Sequence, residues 1–207
     1  MPITETYKQP GSVVAKYEAQ ATNVNLPNFL TLSRILLIPV FVLVFSSPTP
    51  GRSLAAAIVF VVAAITDLLD GYLARRRSQV TKLGRLLDPI ADKLLVLSAL
   101  ILLVQYDRVG ALVAILMIGR EVAVTGVRAI AAAQGIVIAA ETTGKYKMAA
   151  QVVAVVLLIL EDSIVPATWN LHMAGTAVLY VALALAFISG GRYLVSFWRQ
   201  VSIKGLW

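Results

Sequence analysis

Cysteine is absent from the chain, histidine occurs once, and charged residues make up only 14% of it. Without cysteine there is no disulfide framework, zinc-thiolate centre or thiol nucleophile to consider. The sole histidine, His172, opens the last apolar stretch, away from the acidic clusters, which disfavours zinc and suits an interfacial polar residue. Scarce charge sets the chain apart from an ordinary soluble domain, where about 25% of residues are charged. The first 25 residues are polar and lack a basic start followed by an apolar run and a small-residue cleavage site, so no signal peptide is expected to be removed. Internal repeats and low-complexity segments are missing as well.

What the chain does contain is apolar. Hydrophobic residues make up 59% of its 207 positions, and its mean hydropathy is +0.83. No soluble core of this size could surround several apolar stretches of about 18 or more residues with polar surface, so lipid is the expected solvent. Six such stretches can be marked, near 29–47, 53–73, 88–106, 110–133, 145–161 and 171–197. Pro48, Pro50 and Gly51, then Asp107 to Gly110, then Glu161 to Pro166, break them. The expected fold class is an all-α integral membrane protein of six transmembrane helices, with residues 26–207 as one membrane domain. Residues 1–25 form an N-terminal cytoplasmic or interfacial segment. Val13, Val14, Tyr17 and Ala21 fall at helical spacing there, which predicts a short juxtamembrane helix over 12–22, a disordered tail being the alternative.

The formal charge is +7. The basic residues cluster at the ends of apolar segments, which points to anionic lipid and phosphate partners and away from nucleic acid. With a cytoplasmic N-terminus, the outer turns hold only Arg52 and Arg108. The inner side receives Lys8, Lys16, the Arg75-Arg76-Arg77 run, Lys82, Arg85, Lys145, Lys147, Arg192, Arg199 and Lys204. That bias places both termini, and the acidic residues described next, on the cytoplasmic side of the membrane.

Carboxylates in apolar segments are costly and default to functional hypotheses. Asp67 and Asp70 stand at i, i+3 near the end of the second segment; Asp88 and Asp92 stand at i, i+4 at the start of the third. Each pair shares one helix face. A loop from Gly71 to Leu87 would return the chain as an antiparallel hairpin and bring the pairs together. Four carboxylates at low dielectric cannot all stay ionised without cations, and hard oxygen donors on rigid helices suit Mg²⁺ or Mn²⁺. The competing explanation is salt bridging to Arg75, Arg76, Arg77, Arg85 and Lys93. Gly71 and Ala74 remove bulk where a ligand would approach the backbone, or simply serve helix packing.

The run DLLDGYLARRRSQVTKLGRLLDPIAD, Asp67 to Asp92, fits D-x-x-D-G-x-x-A-R-(x)8-G-x-x-x-D-x-x-x-D at all eight fixed positions. It resembles the CDP-alcohol phosphotransferase family. The resemblance implies six transmembrane helices, a homodimer, and a two-metal site facing the cytoplasm. It implies that Asp67, Asp70, Asp88 and Asp92 are metal ligands, with Asp92 also the general base. Gly71, Ala74, Arg75, Thr81 and Gly84 would surround the CDP portion of the lipid. Upstream, LPNFLTLSRILLIP is similar to the family's N-terminal signature, in which Asn28 and Thr31 face the nucleotide and Arg34 lies close by. An ordinary membrane-entry sequence with one snorkelling arginine is the alternative there.

The acceptor alcohol must be chosen by polar residues outside that run. GREVAVTGVR buries Arg120, Glu121 and Arg128 among apolar residues, with the two arginines on similar faces, and GKYKMAAQ adds Lys145, Lys147 and Gln151 as further donors. Cations beside a metal site suit an acceptor that itself bears a phosphate, such as glycerol 3-phosphate. Pairing of Glu121 with an arginine between helices is the structural alternative. Within the family these stretches, and DPIADKLL, resemble the bacterial phosphatidylglycerophosphate synthases, with Gly119 in place of the usual alanine and Met148 in place of the usual threonine. That resemblance implies transfer of a phosphatidyl group from CDP-diacylglycerol to glycerol 3-phosphate in a bacterial inner membrane. Cardiolipin synthase and phosphatidylinositol phosphate synthase are the rivals within the family. An ion-coupled transporter is the rival outside it, although the last two segments offer few polar positions toward the outer side.

Overall fold

The computed structural model describes residues 26–77, 82–136, 142–161 and 170–203, with side chains at 32–66, 93–136, 143–161 and 170–202. Among the described residues every regular element is a helix: α1 Leu26–Phe45, α2 Pro50–Arg77, α3 Lys82–Gln105, α4 Ala111–Ala133, α5 Thr142–Ile159 and α6 Leu171–Ile203. The helices coincide with the apolar segments read from the sequence, but several run further. The expected loop from Gly71 to Leu87 is largely helical. α2 continues through the Ala74-Arg75-Arg76-Arg77 run and α3 already begins at Lys82. Alanine, arginine, lysine and leucine are strong helix formers, so polarity alone does not end these helices. The expected N-terminal helix over 12–22 lies outside the described residues.

Consecutive helices join through short connections. Pro50 opens α2 at a helix start, where its missing N–H costs nothing. Asp107, with φ of 56°, makes the tight turn from α3 to α4, a left-handed conformation that aspartate tolerates better than most residues. Gly135, at φ +64°, closes α4. The Ile136 amide donates to the Ala131 carbonyl at 2.8 Å and the Gly135 amide to Ala132 at 3.1 Å, the two bonds of a glycine-terminated helix end.

At the end of the bundle formed by the α1–α2, α3–α4 and α5–α6 connections, two arginines satisfy helix carbonyls. Arg52 donates to Val44 at 2.9 Å and to Leu43 at 2.6 Å, closing α1. Arg108 donates to Leu158 and Ile159 at 2.8 and 2.9 Å, closing α5, and its guanidinium lies 5.3 Å from the centre of the Phe45 ring. Helix C-termini carry unpaired carbonyls and partial negative charge, so each cation is doubly favoured.

The core gathers Phe41, Phe45, Phe60, Leu103, Met117 and Leu158 from five helices, all almost inaccessible. Small residues such as Ala56, Ala63, Ala99, Ala154 and Ala182 fill the remaining contacts. A second cluster, Ala131, Ile136, Phe197 and Val201, joins the far ends of α4 and α6. α3 is central, touching α1, α2, α4 and α5, while α6 packs on α4 and most extensively on α5.

Outside the core, Leu36, Leu43, Ile58, Leu112, Ile115 and Val122 are more than half exposed, as are Met173, Tyr180 and Val195. So large an apolar surface on several helices is not that of a water-soluble monomer. Among the described residues α6 meets the length and hydropathy of a membrane span, over Leu171–Ser202, by composition alone; Leu32–Phe45, Pro50–Thr66 and Lys93–Gln105 are shorter apolar stretches. Among the described residues there are thus six helices, and one of them is long and apolar enough to cross. Asp67, Asp70 and the arginine run shorten the apolar part of α2; Asp88, Asp92 and Lys93 do the same for α3; Arg120, Glu121 and Arg128 interrupt α4.

Candidate active site

The acidic run straddles two consecutive helices. Asp67 and Asp70 lie in the second half of α2, in the same helical stretch as Gly71, Ala74 and Arg75. Gly84, Asp88 and Asp92 lie in the first half of α3. The two helices contact one another. Within each helix, the i, i+3 and i, i+4 intervals put both members of a pair on one face. The side chains of these residues, and those of Asn28 and Thr31 at the start of α1, lie outside the described set, and Thr81 lies outside the described residues altogether.

Arg34 stands one helical turn beyond Thr31 on α1 and is completely buried. It does not snorkel to a surface, as the entry-sequence alternative required. A guanidinium held inside a helical bundle needs anionic or carbonyl partners there, and its burial keeps it on the inner side of α1.

The cations on α4 and α5 form a defined network. Arg120 donates from Nε to the Ala186 carbonyl at 2.7 Å and from Nη2 to the Ser189 hydroxyl at 2.6 Å, both on α6. Its Nη1 reaches Glu121 Oε1 at 2.7 Å, and Lys147 of α5 donates to the same carboxylate oxygen. Gly190 permits this approach, since a Cβ there would stand 3.2 Å from Arg120 Nε. One carboxylate thus serves two cations and ties α4, α5 and α6 together. The sequence left open a pairing of Glu121 with an arginine of another helix; the arginine it meets is its own neighbour Arg120, and the partner from another helix is Lys147.

Arg128 and Lys145 stand apart from that cluster. Both are exposed; the Arg128 guanidinium lies 5.5 Å from the centre of the Tyr193 ring on α6, a cation–π arrangement. Of the five candidate acceptor residues, the structure therefore gathers Arg120, Glu121 and Lys147 and leaves Arg128 and Lys145 at the surface.

Several participants escaped the sequence reading. Lys93, directly after Asp92, donates to the Thr125 hydroxyl on α4. Ser189 and Gly190 receive Arg120, whereas Gln151, grouped with Lys145 and Lys147 in the sequence, is buried one turn beyond Lys147. The Ser-Gly-Gly triplet in an otherwise apolar segment is a readable signal for a polar crossing point; Lys93 reads in the sequence only as a salt-bridge partner of the aspartates. Lys93, Glu121, Lys147 and Gln151 form the polar side of a cleft between α3, α4 and α5 whose other wall is Leu97, Leu100, Met117 and Ile118. Met148, the residue that departs from the usual threonine, also lines it.

Residues 24–188 match the sequence signature of the CDP-alcohol phosphatidyltransferase family. Among individual proteins, the chain is 42% identical over 189 residues to a Bacillus subtilis protein, an alignment covering 86% of this chain and 97% of that one. It is 41% identical over 174 residues to an Escherichia coli K12 protein, covering 82% and 93% respectively. A Rickettsia bellii protein is 38% identical over 169 residues, covering 82% and 93%. All three relatives bear the name CDP-diacylglycerol–glycerol-3-phosphate 3-phosphatidyltransferase.

Proposed function

Because the chain belongs to the CDP-alcohol phosphatidyltransferase family, we propose that it transfers the phosphatidyl group of CDP-diacylglycerol to sn-glycerol 3-phosphate, releasing CMP. The observation that carries this reading is the placement of the complete acidic run across α2 and α3, two helices in contact. The names of its relatives support the choice of acceptor, as does the cation network on α4 and α5.

Asp67, Asp70, Asp88 and Asp92 would hold two divalent cations. The donor set fits, since carboxylate oxygens on two adjoining helices suit hard ions such as Mg²⁺ or Mn²⁺. Such ions, when bound, neutralise charge on the pyrophosphate and the departing CMP. Asp92 accepts the proton of the acceptor's 1-hydroxyl. That oxygen bonds to the phosphorus carrying diacylglycerol while the pyrophosphate P–O bond breaks and CMP leaves with the electron pair. Asn28, Thr31, Arg34, Gly71, Ala74, Arg75, Thr81 and Gly84 surround the CDP portion.

The acceptor's phosphate meets Arg128 and Lys145, both exposed, and the cluster of Arg120, Lys147 and Glu121, in which two cations exceed one carboxylate. The apolar exterior and the bias of lysine and arginine toward one end of the helices support a bacterial inner-membrane enzyme of six spans. Its site and both termini face the cytoplasm, and it acts as a homodimer.

The deciding experiment offers purified protein CDP-diacylglycerol with glycerol 3-phosphate, phosphatidylglycerol or inositol phosphate, each alone, and follows CMP release with identification of the lipid formed. Phosphatidylglycerophosphate with the first acceptor, and no lipid product with the others, is expected. Product solely with phosphatidylglycerol or inositol phosphate overturns the reading.

A further inference from the structure

A single peptide bond separates Asp92 from Lys93, whose ammonium donates to the Thr125 hydroxyl on α4. That hydroxyl directs its own proton to the Glu121 carbonyl one turn earlier, at 2.7 Å. Its lone pairs are what remain for Lys93, so Thr125 is oriented as an acceptor. The same turn of α4 carries the Glu121 carboxylate, which takes Lys147 from α5 and Arg120. Arg120 in turn is anchored to Ala186 and Ser189 of α6. A continuous set of hydrogen bonds therefore runs from the residue beside Asp92, through one turn of α4, to α5 and α6. Thr125 is the point at which α3 joins it, and no step of the chemistry above uses Thr125.

We propose that Thr125 is a positioning residue: through Lys93 it fixes the acidic turn of α3 against α4, and so the fit of Asp88 and Asp92 around a divalent cation. The proposal rests on the function inferred above. Mg²⁺ and ions like it demand near-ideal oxygen geometry, so a small displacement of a ligand-bearing turn weakens binding. Groups bonded directly to metal ligands typically change affinity about 10–100-fold when removed. Thr125 acts one residue further out, and about 3–10-fold is expected.

The test measures Mn²⁺ binding to the purified protein without substrate, reading free Mn²⁺ by electron paramagnetic resonance. Thr125→Val keeps the β-branched shape and removes the acceptor; Thr125→Ser keeps the hydroxyl. Thr125→Val should weaken Mn²⁺ affinity about 3–10-fold and Thr125→Ser should stay within about twofold of wild type. Lys93→Met should weaken binding at least as much as Thr125→Val does, and the double variant should be no weaker than Lys93→Met alone, because Thr125 acts through Lys93. A general structural role would not give rescue by serine together with non-additivity. Wild-type affinity in Thr125→Val, equal loss in Thr125→Ser, or additive losses in the double variant overturns the proposal. Should Thr125→Val not fold, Lys93→Met with wild-type affinity overturns it equally. Failure of the wild-type protein to bind Mn²⁺ overturns the proposed function along with it, whereas wild-type binding with an unaffected Thr125→Val overturns this inference alone.

Discussion

At the scale of single residues, the site divides into groups expected to react and groups that hold others in place. Asp92→Asn retains an oxygen donor but cannot take a proton. CMP release should fall by about 10²–10⁴-fold, while binding of CDP-diacylglycerol, measured by calorimetry, should persist. Glu121 belongs to the second group. Its carboxylate oxygen is shared by Arg120 at 2.7 Å and by Lys147, and Glu121→Gln leaves two largely buried cations with a neutral partner. A loss of about 2–3 kcal/mol in stability is expected from breaking a buried pair, read as a lower unfolding temperature in detergent. Lys145, exposed and outside that cluster, should behave oppositely: Lys145→Ala raises KM for glycerol 3-phosphate about tenfold with little change in unfolding temperature, the loss of one charge-assisted contact to phosphate. The sequence left these five residues open between binding the acceptor and pairing Glu121 with an arginine, because spacing on one helix says nothing of what a neighbouring helix presents. Arg120 meets Ala186 and Ser189, sixty-odd residues away, and no periodicity announces that pairing.

At the scale of helices, the ends are where sequence and structure part. The turn at Asp107 to Gly110 and the break at Pro48 to Gly51 were readable because proline, glycine and aspartate fix backbone conformation locally. The helical character of Gly71 to Arg77 was not, since glycine and charge there suggested a loop although Leu73, Ala74 and the three arginines are good helix formers. Arg52 and Arg108 look like isolated outer charges in sequence, yet each completes the end of another helix. Arg108→Ala removes two charge-assisted bonds and the Phe45 contact. It should cost about 3 kcal/mol, seen as a fall in unfolding temperature with CDP-diacylglycerol KM unchanged, since Arg108 lies at the other end of the bundle from the acidic run.

At the scale of the whole molecule, hydropathy and the acidic run made the all-helical class and the family legible, because both are properties of composition and short-range spacing. How the six helices pack was beyond reach, for it depends on contacts between distant segments such as α1 with α3 and α4 with α6. Absence of cysteine makes the chain a ready background for mapping orientation in the membrane. With the proposed topology, a membrane-impermeant thiol reagent should label Met173→Cys in intact cells. Tyr146→Cys should be labelled only after permeabilisation. Both positions are about two-thirds exposed. The reverse pattern would invert the orientation.

Divalent-cation dependence reaches the centre of the account most directly. Purified protein turning over CDP-diacylglycerol and glycerol 3-phosphate should stop releasing CMP when treated with a chelator and resume when Mg²⁺ or Mn²⁺ is restored in excess. CMP release that continues undiminished in chelator would contradict the assignment of Asp67, Asp70, Asp88 and Asp92 as the ligands on which the chemistry depends.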